Sequence, residues 1–131
     1  MKYLLDANAV IALLKGHDTF LTNLRRHSPE DVGISSIVSH ELLSGAFKSR
    51  RAASNLKLVS RLPFEILPFD RDDSRRSGEI RAILSSKGQP IGPYDLLIAG
   101  QALSRNLILV THNTGEFSRI DGLRLEDWEM P

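Results

Sequence analysis

Cysteine does not occur anywhere in the 131 residues. Neither a disulfide framework nor a thiolate metal site is therefore available, and any metal must be held by oxygen or imidazole ligands. Such a composition suits a reducing cytoplasm. Long apolar runs are missing too: the first, Tyr3 to Leu14, is interrupted by Asp6 and Asn8 and is too short and too polar to cross a membrane. Its layout is not that of a signal peptide. Charge is nearly balanced, 17 Lys and Arg against 16 Asp and Glu, which excludes the broad basic field of a general nucleic-acid binder. The arginines are nonetheless clustered, at Arg25 and Arg26, at Arg50 and Arg51 beside Lys48, and at Arg71, Arg75, Arg76 and Arg81. Clusters of this kind are usually solvated helix faces.

What is present is an ordinary globular composition, 41% hydrophobic and 25% charged, in a length that suits one domain over residues 1–131. Residues 2–5 read as a buried strand ending at Asp6. A helix follows over 7–15, with Val10, Ile11, Leu13 and Leu14 facing inward and Gly16 stopping it. Helical spacing returns over 18–26, and 32–34 make a second strand. Ser35 or Ser36 caps a helix over 37–49. Residues 52–62 are helical, separated from it by a bend or continuous with it. A third strand at 64–67 and a charged amphipathic helix over 70–87, burying Ile80, Ile83 and Leu84, come next. Residues 107–110 are a continuous apolar strand of the kind found in sheets covered on both faces. Residues 111–117 read as a polar loop, 123–125 as a last strand, and Trp128 as an anchor for the C-terminal segment. Alternation of strands and helices predicts a three-layer α/β/α sandwich around a mainly parallel sheet.

The stretch QPIGPYDLLIAG (Gln89 to Gly100) places one acid at the head of a helix that is apolar nearly all round. Gly92 and Pro93 form the turn into it, since the missing proline N–H costs nothing at a first helical position. Asp95 then falls in the first turn, either as a cap worth roughly 0.3–1 kcal/mol or as a chemical group. In parallel sheets functional groups gather at the carboxyl ends of the strands. Asp6 follows the first strand, Glu41 lies in the helix after the second, Asp95 starts the helix before the fourth, and Glu116 sits in the loop after it. All four can face one rim. At ~5 Å and an effective dielectric near 20, each carboxylate pair costs about 3 kcal/mol. A domain stable by only ~5–15 kcal/mol cannot carry several such pairs uncompensated. Either some acids are protonated or a cation sits among them, and oxygen ligands favour Mg²⁺ or Mn²⁺. Such ions commonly act on phosphate esters. Asn113 competes with Glu116 as an uncharged ligand or water-positioning group. Asn8 either hydrogen-bonds Asp6 or caps the first helix. His112 reads as a hydrogen-bonded loop residue and His40 as peripheral.

Four segments, YLLDAN (Tyr3 to Asn8), ISSIVSHELLSGA (Ile34 to Ala46), GQPIGPYDLLIAGQALS (Gly88 to Ser104) and LVTHNTGEF (Leu109 to Phe117), resemble PIN-domain toxins of the VapC type in order and spacing. The resemblance runs from Tyr3 to Trp128. It implies a metal-dependent endoribonuclease that cuts RNA, often transfer RNA and in close relatives initiator transfer RNA, and so arrests translation. It also implies a homodimer held inactive by a VapB-type antitoxin. Asp6, Glu41 and Asp95 match the family's first three acids, with Asp6 and Asp95 as direct Mg²⁺ ligands and Glu41 holding the ion or its water. Two positions depart from the pattern. Ala7 stands where the family usually has threonine, and Glu116 where many members have aspartate. Two other classes remain open to test. One is a non-catalytic RNA- or protein-binding module whose acids receive a partner's arginines. The other is a phosphatase of the haloacid dehalogenase type, which wants a second aspartate two residues after the first, where this chain has Asn8.

Overall fold

In the computed structural model, which describes residues 1–131, every strand runs parallel to its neighbours. β1 (Tyr3–Leu5), β2 (Val32–Ser35), β3 (Glu65–Leu67), β4 (Ile108–Val110) and β5 (Leu125–Glu126) form one sheet in the order β3-β2-β1-β4-β5. Leu4 of β1 pairs with Gly33 on one side and with Leu109 on the other. Leu4, Leu5, Leu109 and Val110 are completely buried, as central strands covered on both faces require.

Seven helices connect and cover the strands: α1 (Ala7–Leu14), α2 (Asp18–Leu24), α3 (Ser36–Lys48), α4 (Ala52–Ser60), α5 (Arg71–Ser86), α6 (Pro93–Ser104) and α7 (Thr114–Phe117). The architecture is the expected three-layer sandwich, with the sheet wholly rather than mainly parallel. Ser35 caps α3, its hydroxyl accepting the Ile37 N–H at 3.0 Å. Ser49 then turns extended, so that α4 is a separate helix after a bend.

α5 and α6 are clamped together, which fixes the axis that carries Asp95. A Cβ on Gly100 would lie 2.5 Å from that of Ser77, so the two backbones approach closely only because this residue is glycine. Beside this contact the buried Asp73 accepts hydrogen bonds from Ser104 at 2.8 Å, Arg105 Nη2 at 3.0 Å and Gln101 Nε2 at 3.2 Å. Burial opposes the charge on Asp73, but Arg105, the Asp70 N–H and Ser104 outweigh it and hold its pKa below the usual range. Asp73 also closes a capping box with Asp70 at the start of α5.

Four local expectations are corrected. In α1 the inward residues are Ala9, Val10 and Ala12, whereas Ile11 and Leu14 face a groove against α3 and α4. Ile83 of α5 is 46% exposed while Ile80 and Leu84 carry the contact. The segment after β4 is not all loop: α7 forms within it because Phe117 folds inward and is completely buried. The last strand is Leu125–Glu126, two residues beyond the start expected for it, since pairing with Leu109 and Val110 sets its register. Trp128 does anchor the C-terminal segment. It stacks on His27 at 4.8 Å between ring centroids and meets Phe20 and Tyr3.

Candidate active site

Strand order reverses between β1 and β4, and the crevice outside their carboxyl ends is where an open parallel sheet offers a site. Asp6 is the first residue beyond β1 and is only 3% exposed. It caps α1, its Oδ1 accepting the Ala9 N–H at 2.8 Å. Thr111 is the first residue beyond β4 and is equally buried. Its side chain lowers the Asp6 pKa, and its Oγ1 accepts the Asn113 N–H at 3.0 Å. Sequence reasoning missed Thr111. The signal was a hydroxyl residue at the end of the strand adjoining the central one.

Asp95 arrives from the other direction. α6 precedes β4 and runs antiparallel to it, so its first turn lies at the carboxyl-end rim. Pro93 occupies the first helical position and Gly92 the cap, leaving the Gly92 N–H free to donate outside the helix. It donates to Glu116 Oε1 at 2.9 Å, while Asn113 Nδ2 donates to Glu116 Oε2. Glu116 and Asn113, set against each other as alternatives, are thus hydrogen-bonded partners. A Cβ added to Gly92 would stand 3.5 Å from Asp95 Oδ2 and 3.9 Å from Glu116 Oε1, which places both carboxylates against the same glycine.

Glu41 projects from α3. Its Oε1 is buried and has no hydrogen-bond partner. Burial raises the pKa of Glu41, and the negative charges of Asp95 and Asp6 raise it further. Burial likewise pushes the Asp95 carboxyl up to about 6, with Glu116 and then Asp6 adding to the shift. Asp6 is raised by its burial, against the Thr111 hydroxyl and the Ala9 N–H. The structure therefore brings Asp6, Glu41 and Asp95 within one another's fields, with Glu116 acting on Asp95. An orphaned carboxylate oxygen among four acids, with no lysine or arginine hydrogen-bonded to any of them, is what a hard cation with oxygen ligands would complete.

The family model for the PIN domain matches residues 3–123. Over 132 residues the chain is 42% identical to the tRNA(fMet)-specific endonuclease VapC of Salmonella typhimurium, covering 98% of each chain. The chain belongs to the PIN-domain family, on its VapC branch. Ribonuclease VapC2 of Rickettsia felis is 41% identical over 135 residues, covering 98% of this chain and 99% of that one. The DNA-bound VapBC crystal structure from Salmonella typhimurium superposes with a TM-score of 0.93 at 41% identity, covering 98% of both chains.

Around this PIN-domain crevice the remaining residues take other places. Asn8 is exposed and lines the clefts on either side of α1, while the helix cap is Asp6 itself. His112 Nδ1 lies 2.9 Å from Asp127 Oδ2 and 3.7 Å from Glu129 Oε2. Asp127 raises the His112 pKa, first by the hydrogen bond and then by its charge, and Glu129 adds to it. Asp127 and Glu129 flank the buried Trp128, so both turn outward when the indole turns in. They also raise the Asp6 pKa, a contribution the sequence did not reveal. On the opposite side of α1, an apolar groove of about 490 Å³ runs off from Glu41 between Ile11, Leu14, Leu42, Ala46 and Leu58.

Proposed function

We propose that this chain is a divalent-metal-dependent endoribonuclease, working as one domain over residues 1–131 and acting as the toxin of a VapBC-type module. The reading is carried by the convergence of four acids on one rim, with Glu41 Oε1 buried and unbonded among them. Asp6 and Asp95 are the residues to hold Mg²⁺, and Mn²⁺ fits the same oxygen set. When bound, the cation acidifies a water and neutralises charge on the scissile phosphate. Glu41, whose Oε1 has no partner within the protein, would hold the cation's water and could take its proton. Glu116, fixed by Gly92 and Asn113, aligns the water on the phosphorus. Water oxygen would bond to phosphorus as the P–O3′ bond breaks, with the 3′ oxygen taking a proton from solvent, leaving a 5′-phosphate and a 3′-hydroxyl.

Relatives named for initiator transfer RNA make transfer RNA the first substrate to try. A VapB-type antitoxin is the proposed partner, as in the VapBC complex of similar fold. Its best seat is the groove off Glu41, where an amphipathic segment can bury apolar side chains and still reach the acids. The toxin works as a homodimer in the cytoplasm. No helix of this chain is long and apolar enough to cross a membrane. The deciding experiment incubates purified protein with initiator transfer RNA, with Mg²⁺ or with chelator, beside Asp6→Asn and Asp95→Asn. Cleavage by the wild type in Mg²⁺ alone is expected. Cleavage that survives chelation, or persists at the wild-type rate in either variant, would refute the assignment. If the acids serve only to bind a partner's arginines, no condition yields cut RNA.

A further inference from the structure

Of the phenylalanine, tyrosine and tryptophan side chains only two are more than a third exposed, Phe47 at 66% and Tyr94 at 45%. Phe47 lies near the far end of α3. Tyr94 immediately precedes Asp95 in the first turn of α6, and its partner is His40, which immediately precedes Glu41 in α3. The two rings meet edge to face, with centroids 5.8 Å apart and planes at 65°. The pair thus bridges the two helices that deliver Asp95 and Glu41 to the site.

Nothing in the fold requires an aromatic ring at this position. Tyr94 stands outside the packed core, and its hydroxyl makes no hydrogen bond within the protein. His40 packs against the Tyr94 ring at this angle and leaves 45% of the residue open to solvent. The surroundings are acidic, which disfavours a bare phosphate at this point but not the neutral face of a nucleobase. Bases stack on exposed aromatic rings in single-stranded RNA recognition because every base has a π-face.

We infer that Tyr94, buttressed by His40, is the stacking platform for the nucleobase next to the cleaved phosphodiester. This rests on the nuclease reading above. The platform holds one base beside the acids and so sets where along the strand the phosphate enters. It is a substrate-binding residue with a preference for unpaired nucleotides. The hydroxyl is dispensable and the π-face is not.

The test uses the full chain with Tyr94→Phe and Tyr94→Leu, and a short single-stranded RNA containing the cleaved bond. A second RNA lacks the base next to that bond. Cleavage is followed in Mg²⁺, and binding is followed by fluorescence anisotropy without metal. Tyr94→Phe is expected to match the wild type, while Tyr94→Leu raises KM and Kd about tenfold with kcat little changed. Removing the base should cost the wild type the same factor and cost Tyr94→Leu almost nothing. If Tyr94→Leu keeps the wild-type KM and Kd, or loses as much as the wild type on the abasic RNA, the platform is ruled out. A changed subunit assembly with unchanged RNA affinity would also rule it out and make Tyr94 a subunit contact. A wild type that cuts no RNA sinks the nuclease reading instead, and the anisotropy comparison still decides whether Tyr94 stacks on a base.

Discussion

The main-chain N–H of Gly92 donates to Glu116 Oε1 at 2.9 Å, a bond between residues 24 apart in the chain. It ties the head of α6 to α7 and sets Glu116 beside Asp95. Replacing Glu116 by Gln keeps an oxygen for Gly92 and lets Asn113 turn its own carbonyl to the new amide. Replacing it by Ala removes the acceptor altogether. Glu116→Ala should therefore be about 1 kcal/mol less stable than Glu116→Gln in thermal unfolding. Both should lower the Asp95 pKa from about 6, because the Glu116 charge that helps to raise it is gone. Carboxyl ¹³C NMR titration reads that shift directly. Equal stability of the two variants would show that the Gly92 bond contributes nothing.

Asp95 links the site to stability in the absence of metal. Its carboxyl binds a proton more tightly folded, with a pKa of about 6 against an ordinary 3.8. Stability from this group is therefore fully present below pH 3.8 and is lost as pH rises through 6. Taken at face value the shift is worth about 3 kcal/mol, and solvent screening of a half-buried group reduces that to roughly 1–2 kcal/mol. In metal-free buffer Asp95→Asn should match the wild type near pH 4 and exceed its stability by that amount above pH 6. Its RNA cleavage should fall by about 100-fold or more. Denaturant unfolding across the pH range is the measurement, and a wild type whose stability is flat from pH 4 to 7 would contradict the coupling.

Three of the four acids legible in the sequence share a property: Asp6, Asp95 and Glu116 each sit within two residues of a strand end or a helix start, whereas Glu41 lies inside α3. Asp6 follows an apolar run, and Asp95 follows a glycine and a proline, so chain position alone predicts the rim on which they lie. Thr111, Asp127 and Glu129 act on Asp6 only through strand pairing between β1, β4 and β5, which no local pattern announces. The orientation of α1 was illegible for a different reason. A helix apolar on most sides has no unique inner face, and the small residues Ala9 and Ala12 won the close packing against the sheet while Ile11 and Leu14 were left for the groove. The buried polar cluster around Asp73 was hidden because a charged amphipathic helix gives no sign of which charge will be covered. α7 was missed because four residues are too few to show a helical period.

Thr111 offers a test of how Asp6 is kept ready to hold a cation. Its hydroxyl and the Ala9 N–H both lower the Asp6 pKa against burial. Thr111→Val keeps the shape, removes that hydroxyl and raises the Asp6 pKa further. A carboxyl must be ionised to bind the metal, so the acidic limb of the pH–rate profile should move to higher pH at fixed Mg²⁺. Stability should drop by about 1–3 kcal/mol, because the Asn113 N–H also loses its acceptor. Thr111→Ser should restore both. A profile that stays in place in Thr111→Val would show that the hydroxyl serves only the Asn113 turn.

The groove beside α1 separates neutralisation from catalysis. Leu58 of α4 lines it and is 46% exposed, so a lysine there disturbs no packed core. The groove is mainly apolar around Leu58, with Asn8, Lys15, Glu41 and Asn55 as its polar lining, and a charge placed on its apolar wall must be desolvated when a partner's apolar side chain covers it. Leu58→Lys should therefore weaken binding of the VapB-type antitoxin tenfold or more, about 1.4 kcal/mol, by titration calorimetry. Metal-dependent RNA cleavage by the free protein should stay within about twofold, since Leu58 sits on α4, an element that carries none of the four acids. In cells the variant should escape its antitoxin and arrest growth when both proteins are expressed together. If neutralisation remains complete while the variant folds and cuts RNA, the antitoxin is seated on another face, and the reach from groove to Glu41 plays no part in inhibition.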